Sequence, residues 1–198
     1  MSNTHGETVL ETDRLILRRF TESDADYLTE LDNDPEVTFH ITGGIAQFDD
    51  DTLRAWLAHY ERWPGYGFFA AIEKESGEFL GWFHLRPETD EDDQPELGYR
   101  FRKAAWGKGY ATEGSRALVD RAFSELGTAR VNAFALAIHT ASRRVMEKSG
   151  LRFIRLFRGD WPYKIPGDEH GDVEYAITRE EWEADRRSGG SAAPGSAG

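Results

Sequence analysis

The chain has 198 residues and no cysteine, so it is long enough to bury a core as one domain and offers no disulfide, thiolate nucleophile or cysteine metal site. Its formal charge of −12 at pH 7 argues against a nucleic-acid partner, and no stretch approaches the roughly 18 consecutive apolar residues of a membrane span. A cytoplasmic location is expected, and the acidic run Glu88, Asp90, Glu91, Asp92 and Asp93 reads as a solvated face, with attraction of a cationic substrate as the alternative.

Residues 1–10 read as a flexible leader, 11–187 as the domain and 188–198, SGGSAAPGSAG, as a disordered tail with nothing to bury. A strand is expected over Arg14–Phe20. Thr21 with Asp24 three residues on forms a capping-box start for a helix carrying Ala25, Leu28 and Leu31. Leu53, Trp56, Leu57 and Tyr60 fall at i, i+3, i+4 and i+7, a helix stopped by Pro64-Gly65. Phe68–Ile72 and Phe79–Leu85 flank a turn with Ser76-Gly77 and predict a hairpin, to which Glu96–Phe101 adds a third strand.

Ala111, Ser115, Leu118, Val119, Ala122 and Leu126 mark one face of a long helix closed by Gly127. Arg130–Ile138 follows as a strand, and strand, helix, strand in succession argue for a crossover with parallel pairing. Thr140–Ser149 is a short helix, Leu151–Phe157 and Val173–Thr178 are strands, and Thr178 with Glu181 caps a terminal helix containing Trp182. The fold class is α/β in the α+β sense: a mixed sheet, antiparallel first and parallel in the middle, flanked by helices.

Trp106-Gly107-Lys108-Gly109-Tyr110-Ala111-Thr112 lies where the strand ending near Phe101 gives way to the helix beginning about Ala111. A helix N-terminus offers unpartnered N–H groups and the positive end of the helix dipole, so it is a ready anion site. Gly107 and Gly109 remove side chains that would keep a pyrophosphate from that backbone, and Lys108 adds positive charge. The G-x-x-x-x-G-K-[ST] pattern is absent, and G-x-G-x-x-G fails at Thr112, which counts against a nicotinamide enzyme. By itself the turn is equally compatible with a plain strand-to-helix connection. The six histidines lack ligand spacing, so no metal is expected.

Trp106-Gly-Lys-Gly-Tyr-Ala-Thr-Glu113, preceded by Glu96-Leu-Gly-Tyr-Arg-Phe101 and followed by Thr140-Ala-Ser-Arg-Arg-Val-Met-Glu-Lys-Ser-Gly-Leu151, resembles the GCN5-related N-acetyltransferase (GNAT) superfamily. The likeness is strongest to the branch that acetylates ribosomal-protein N-termini, and it runs from Leu10 to Thr178. It implies one GNAT-like domain in which the Glu96–Phe101 strand splays from its parallel neighbour. Acetyl-CoA would be held there, with main-chain N–H groups of Lys108, Gly109, Tyr110, Ala111 and Thr112 on the pyrophosphate and free main-chain groups near Phe101 and Arg102 on the pantetheine arm.

The resemblance further implies cofactor contacts from His139, Ser142 and Arg144. His139 stands where the family has Asn, and Met146 where many members have a Tyr acid, so Ser142 becomes the group near the sulfur. Glu96, at the start of the splayed strand, is the expected base acting through water. The implied reaction is direct attack of a primary amine, on a small molecule or a peptide, upon acetyl-CoA. A non-catalytic acyl-CoA-binding module is the alternative, and both a monomer and a homodimer stay open.

Overall fold

The computed structural model describes residues 6–87, 94–159 and 164–189. The acidic run at Glu88–Asp93 and residues 190–198 of the expected tail lie outside them.

Eight strands and six α-helices alternate along these residues. β1 (Thr8–Glu11) and β2 (Leu15–Arg19) precede α1 (Ala25–Asp32), α2 (Pro35–Thr42) and α3 (Asp50–Arg62). Three strands follow, β3 (Gly67–Glu73), β4 (Phe79–Arg86) and β5 (Glu96–Phe101). Then come α4 (Tyr110–Ser124), β6 (Arg130–Leu136), α5 (Thr140–Lys148), β7 (Arg152–Phe157), β8 (Asp172–Thr178) and α6 (Arg179–Gly189). The strands form one mixed sheet in the order β1-β2-β3-β4-β5-β6-β8-β7.

Two elements differ from the expectation. The end of the supposed leader is the strand β1, which pairs antiparallel with β2 and packs Val9 and Leu10 on the core. Only four residues long, it shows too little alternation to be read from sequence. α2 was not expected at all. Its signals are local: Asp34 accepts from the Glu36 N–H, Pro35 occupies the first turn, and Gly43 closes the helix at φ 71°. The capping boxes at Thr21/Asp24 and Thr178/Glu181 form as expected.

All neighbouring strands are antiparallel except β5 and β6, which run parallel and share a single register pair, Glu96 with Asn132. Beyond that pair they diverge, and β6 commits to β8 along its whole length. The α4 crossover sets this arrangement. Leu118, Val119, Ala122 and Phe123 of α4 bury against Phe83, Leu85, Leu97 and Phe101, each large side chain contributing about 1.5–3 kcal/mol. Gly114 lets the helix approach: a Cβ there would fall 2.3 Å from the Phe83 ring. The opposite face of the sheet carries α1 and α3 on Phe20, Leu28, Leu31, Leu53, Phe79 and Trp82, with Trp56 stacked on Phe68 at 3.9 Å. The two faces of β5 therefore look into different environments, and the site is built on that difference.

Candidate active site

Gly109 is the N-cap of α4 at φ 86°, and Gly107 sits at φ 72°, both in the left-handed region that favours glycine. This path turns the chain from the strand end into the helix so that the N–H groups of Gly107 to Thr112 point outward. Among the described residues none of these six has a hydrogen-bond acceptor. A Cβ placed on Gly107 would meet nothing within 4 Å, so the space before the helix is open. Lys108 is exposed and makes no ion pair among the described residues. Open space, unsatisfied donors and a helix N-terminus fit a diphosphate.

The turn is braced from behind. Arg14 Nη1 donates to the Lys108 carbonyl at 3.0 Å, and its Nε donates to Glu113 Oε2 at 2.7 Å. The Thr12 hydroxyl and the Arg14 N–H donate to the other Glu113 oxygen at 2.6 and 2.8 Å. Burial pushes the Glu113 carboxyl up, but these donors outweigh it and hold it below the ordinary range. The Arg14 guanidinium also lies 4.4 Å over the Tyr110 ring. Tyr110 thus contributes its N–H to the turn while its side chain is buried and bonded to Glu73. Sequence reasoning did not single out Arg14.

The strand side of the site requires one correction. The Arg102 N–H donates to the Leu80 carbonyl at 2.8 Å, and the Arg102 carbonyl accepts from the Ala105 N–H at 2.9 Å. The N–H is therefore engaged within the sheet and the carbonyl keeps one further lone pair, while the Arg102 guanidinium is paired with Glu30. The same bond fixes the alternation of the ladder, turning the main-chain groups of Leu97, Tyr99 and Phe101 away from β4 and toward β6. The Phe101 carbonyl accepts from the Trp106 indole at 2.8 Å. The Phe101 N–H and the Tyr99 peptide groups are left facing the widening gap.

On the α5 side, Ser142 in the first turn of that helix is buried, and its Oγ lies 3.1 Å from the Tyr99 hydroxyl, which also donates to the Ser142 carbonyl at 2.9 Å. Burial pushes the Tyr99 hydroxyl well above its ordinary pKa, so it stays protonated. Met146 is buried in the core and points no polar atom at this place. Tyr99 is the hydroxyl that sequence reasoning missed; alternation along Glu96–Phe101 puts it on one face with Leu97 and Phe101, and the structure lays α5 on that face.

Glu96 faces the other side of β5. Its carboxylate contacts Arg86 Nη2 at 3.0 Å and His84 Nε2 at 3.5 Å. Burial pushes this carboxyl up, but His84 and Arg86 outweigh that and keep it below its usual range, hence ionised. His139 stacks on His40 of α2 at 4.2 Å, and burial with His40 nearby lowers its pKa to about 4, so it is a neutral ring at physiological pH. Arg143 is spent on Tyr175 and the Ala137 carbonyl, whereas Arg144 is exposed and unpaired among the described residues. No cluster of three potential metal-ligating side chains occurs among the described residues, and no helix there is long and apolar enough to cross a membrane.

Comparison with known proteins gives this geometry its family. Residues 14–152 match the family model for the acetyltransferase (GNAT) domain. The FsC-acetyl coenzyme A-N(2)-transacetylase of Aspergillus fumigatus is 36% identical over 186 residues, covering 89% of this chain and 78% of that protein. A GNAT-family acetyltransferase from Bacillus anthracis superposes with a TM-score of 0.69 at 26% identity, covering 86% of this chain and 98% of that one. RimL, a ribosomal L7/L12 α-N-protein acetyltransferase solved with coenzyme A, shares the fold with a TM-score of 0.73 at 17% identity, covering 87% and 98%. The chain belongs to the GNAT acetyltransferases and is an acetyl-CoA-dependent N-acetyltransferase built as a single domain.

Proposed function

We propose that the chain works in the cytoplasm, moving the acetyl group of acetyl-CoA to a primary amine by direct attack within the gap between β5 and β6. The observation that carries this reading is the row of six unpartnered N–H groups at the head of α4, opening onto two strands joined by one register pair. In this arrangement the N–H groups of Lys108 to Thr112 hold the pyrophosphate, with Lys108 and Arg144 supplying the counter-charge. The Phe101 N–H and the Tyr99 peptide groups hold the pantetheine arm in the gap. An N–H of this strand is also the donor for the thioester oxygen as it gains charge.

Ser142 and Tyr99 then lie beside the sulfur. As the C–N bond forms and the C–S bond breaks, the thiolate takes a proton from the Ser142 hydroxyl, which solvent then restores, while Tyr99 holds Ser142 in place through its carbonyl. Glu96 remains ionised at the apex on the opposite face, where the amine loses its proton. His139 takes the place of the family Asn as a neutral imidazole that lines the amine side together with His40, rather than as a charged contact to the coenzyme.

Three acceptor amines follow from the relatives' names: FsC, spermidine and a ribosomal-protein N-terminus. FsC comes first, because that relative has the higher sequence identity to this chain. The test is calorimetric titration with coenzyme A, followed by thiol release from acetyl-CoA with FsC, spermidine and a peptide N-terminus. Coenzyme binding with turnover of at least one amine is expected. Binding with no turnover on any of the three would favour the non-catalytic module.

A further inference from the structure

His84 lies on β4 directly opposite Gly98 of β5, and its ring covers the place where a side chain of residue 98 would be. A Cβ on Gly98 would fall 2.4 Å from His84 Cε1 and 2.5 Å from Nε2. The missing side chain lets an imidazole lie flat against the strand that borders the gap, two residues from the Glu96–Asn132 apex. The residue is only 9% exposed, and apart from the 3.5 Å contact of Nε2 with Glu96 Oε1 neither ring nitrogen has an aligned hydrogen-bond partner among the described residues. His59 Nε2 and Trp63 Nε1, one α3 turn apart, are also buried and unpartnered. Buried polar atoms without partners are rare and call for a reason.

Resting on the acetyltransferase reading above, we infer that His84 is the catalytic proton acceptor for the attacking amine, and that Glu96 is its positioning residue. The two faces of β5 then divide the proton traffic. The amine nitrogen, entering from the α1–α3 side, bonds to the thioester carbon and gives its proton to a His84 nitrogen. The C–S electron pair goes to sulfur, which is protonated from the Ser142–Tyr99 side. His84 afterwards passes its proton to solvent, and solvent returns one to the Ser142 hydroxyl, so that the enzyme regains its starting protonation.

Glu96 is suited to hold the imidazolium rather than to take the proton itself, since Arg86 and His84 keep it ionised. The groups facing His84 are Glu96 from β5, Arg86 from its own strand and His59 from α3, with Arg62 close to His59. Burial, then Arg86 and His84, lower His59 to about 4, so it adds no charge at neutral pH. Arg100, further along the same face of β5, is taken by Asp32 at 2.5 Å.

The experiment is steady-state transfer by the full chain, with acetyl-CoA and whichever of the three amines turns over, from about pH 5 to about pH 9, the range an imidazole ordinarily spans. Wild type should show kcat rising with pH through one ionisation. His84→Gln should lose about 100-fold in kcat together with that ionisation, the size usual for a lost general base, while calorimetric coenzyme A affinity stays unchanged. In Glu96→Gln the ionisation should move to lower pH, because the imidazolium loses its negative neighbour. A His84→Gln kcat within twofold of wild type overturns the inference, and so does a fall that leaves the pH profile intact.

Should His84→Gln fail to fold, wild type alone decides. With an amine that titrates below the assay range, the ionisation must persist, and a flat profile overturns the role. Absence of coenzyme binding by wild type would instead strike the acetyltransferase reading itself.

Discussion

The two ends of the gap between β5 and β6 are made of different material. At the α4 end the site is backbone: six N–H groups, two left-handed glycines and open space. Along β5 it is side chain: Tyr99 with Ser142 on one face, and His84 with Glu96, near the apex, on the other, all buried or half-buried. The difference teaches that holding the coenzyme asks for a particular path of main chain, whereas moving protons asks for particular neighbours across strands. Substitutions at the two ends should consequently fail in different ways, one in affinity and the other in rate.

The largest expected effect breaks the backbone end. Gly109→Glu places bulk and negative charge at the proposed diphosphate site and imposes φ 86° on a residue with a side chain. Calorimetric titration with coenzyme A should detect no binding, and unchanged affinity would refute the placement.

The next effect sharpens the other end. Ser142→Ala and Tyr99→Phe should each lower kcat about tenfold or more without altering coenzyme affinity. Because the hydroxyls touch at 3.1 Å, the double variant should lose less than the product of the single losses. Full additivity would mean that they do not act as a unit.

A smaller loss is expected when the brace is removed and the donors are left in place. Arg14→Leu frees the Lys108 carbonyl and leaves Glu113 without its guanidinium partner. Coenzyme A affinity should fall about tenfold, roughly 1.4 kcal/mol, with little change in kcat at saturation. A fall in kcat alone would contradict this division of labour.

The smallest effect is carried by pH. His139 has a folded pKa of about 4 against about 6.5 when unfolded, so the unfolded chain binds the extra proton between these values. Stability from this site is complete above about pH 6.5 and declines as pH falls toward about 4. His139→Asn should lessen the slope of the melting-temperature profile in this window, leaving the part that His59 contributes, and keep coenzyme binding at neutral pH within a few-fold of wild type. A wild-type profile with no slope in this window would show that the ring is not held neutral.

The same contrast governs what the sequence could disclose. The Gly107–Gly109 turn and the start of α4 were legible because glycine spacing and a helix start are local facts, and β5 was legible to the residue from its run of alternating side chains. That the Arg102 N–H is engaged was not legible, because the hydrogen-bonding phase of an antiparallel ladder depends on its partner, here the Leu80 carbonyl, which no local pattern states. Tyr99 and Ser142 are 43 residues apart and meet only when α5 is laid on the sheet. His84 looked like any histidine in an apolar strand until register set it opposite Gly98. α2 carried readable signals in Asp34-Pro35 and Gly43, but a weakly amphipathic eight-residue helix is easily passed over.

One feature of the sheet reaches beyond binding. Since β5 and β6 share a single register pair, the eight strands amount to two ladders, β1 through β5 and β6-β8-β7, hinged at Glu96 and Asn132 and spanned by α4. The angle between the ladders can change without any other rung of either being given up. The two ladders are nonetheless held by one shared core, in which Leu97 and Phe101 of the first cluster with Val131, Ala133 and Tyr175 of the second, and by the Tyr99–Ser142 bond across the gap.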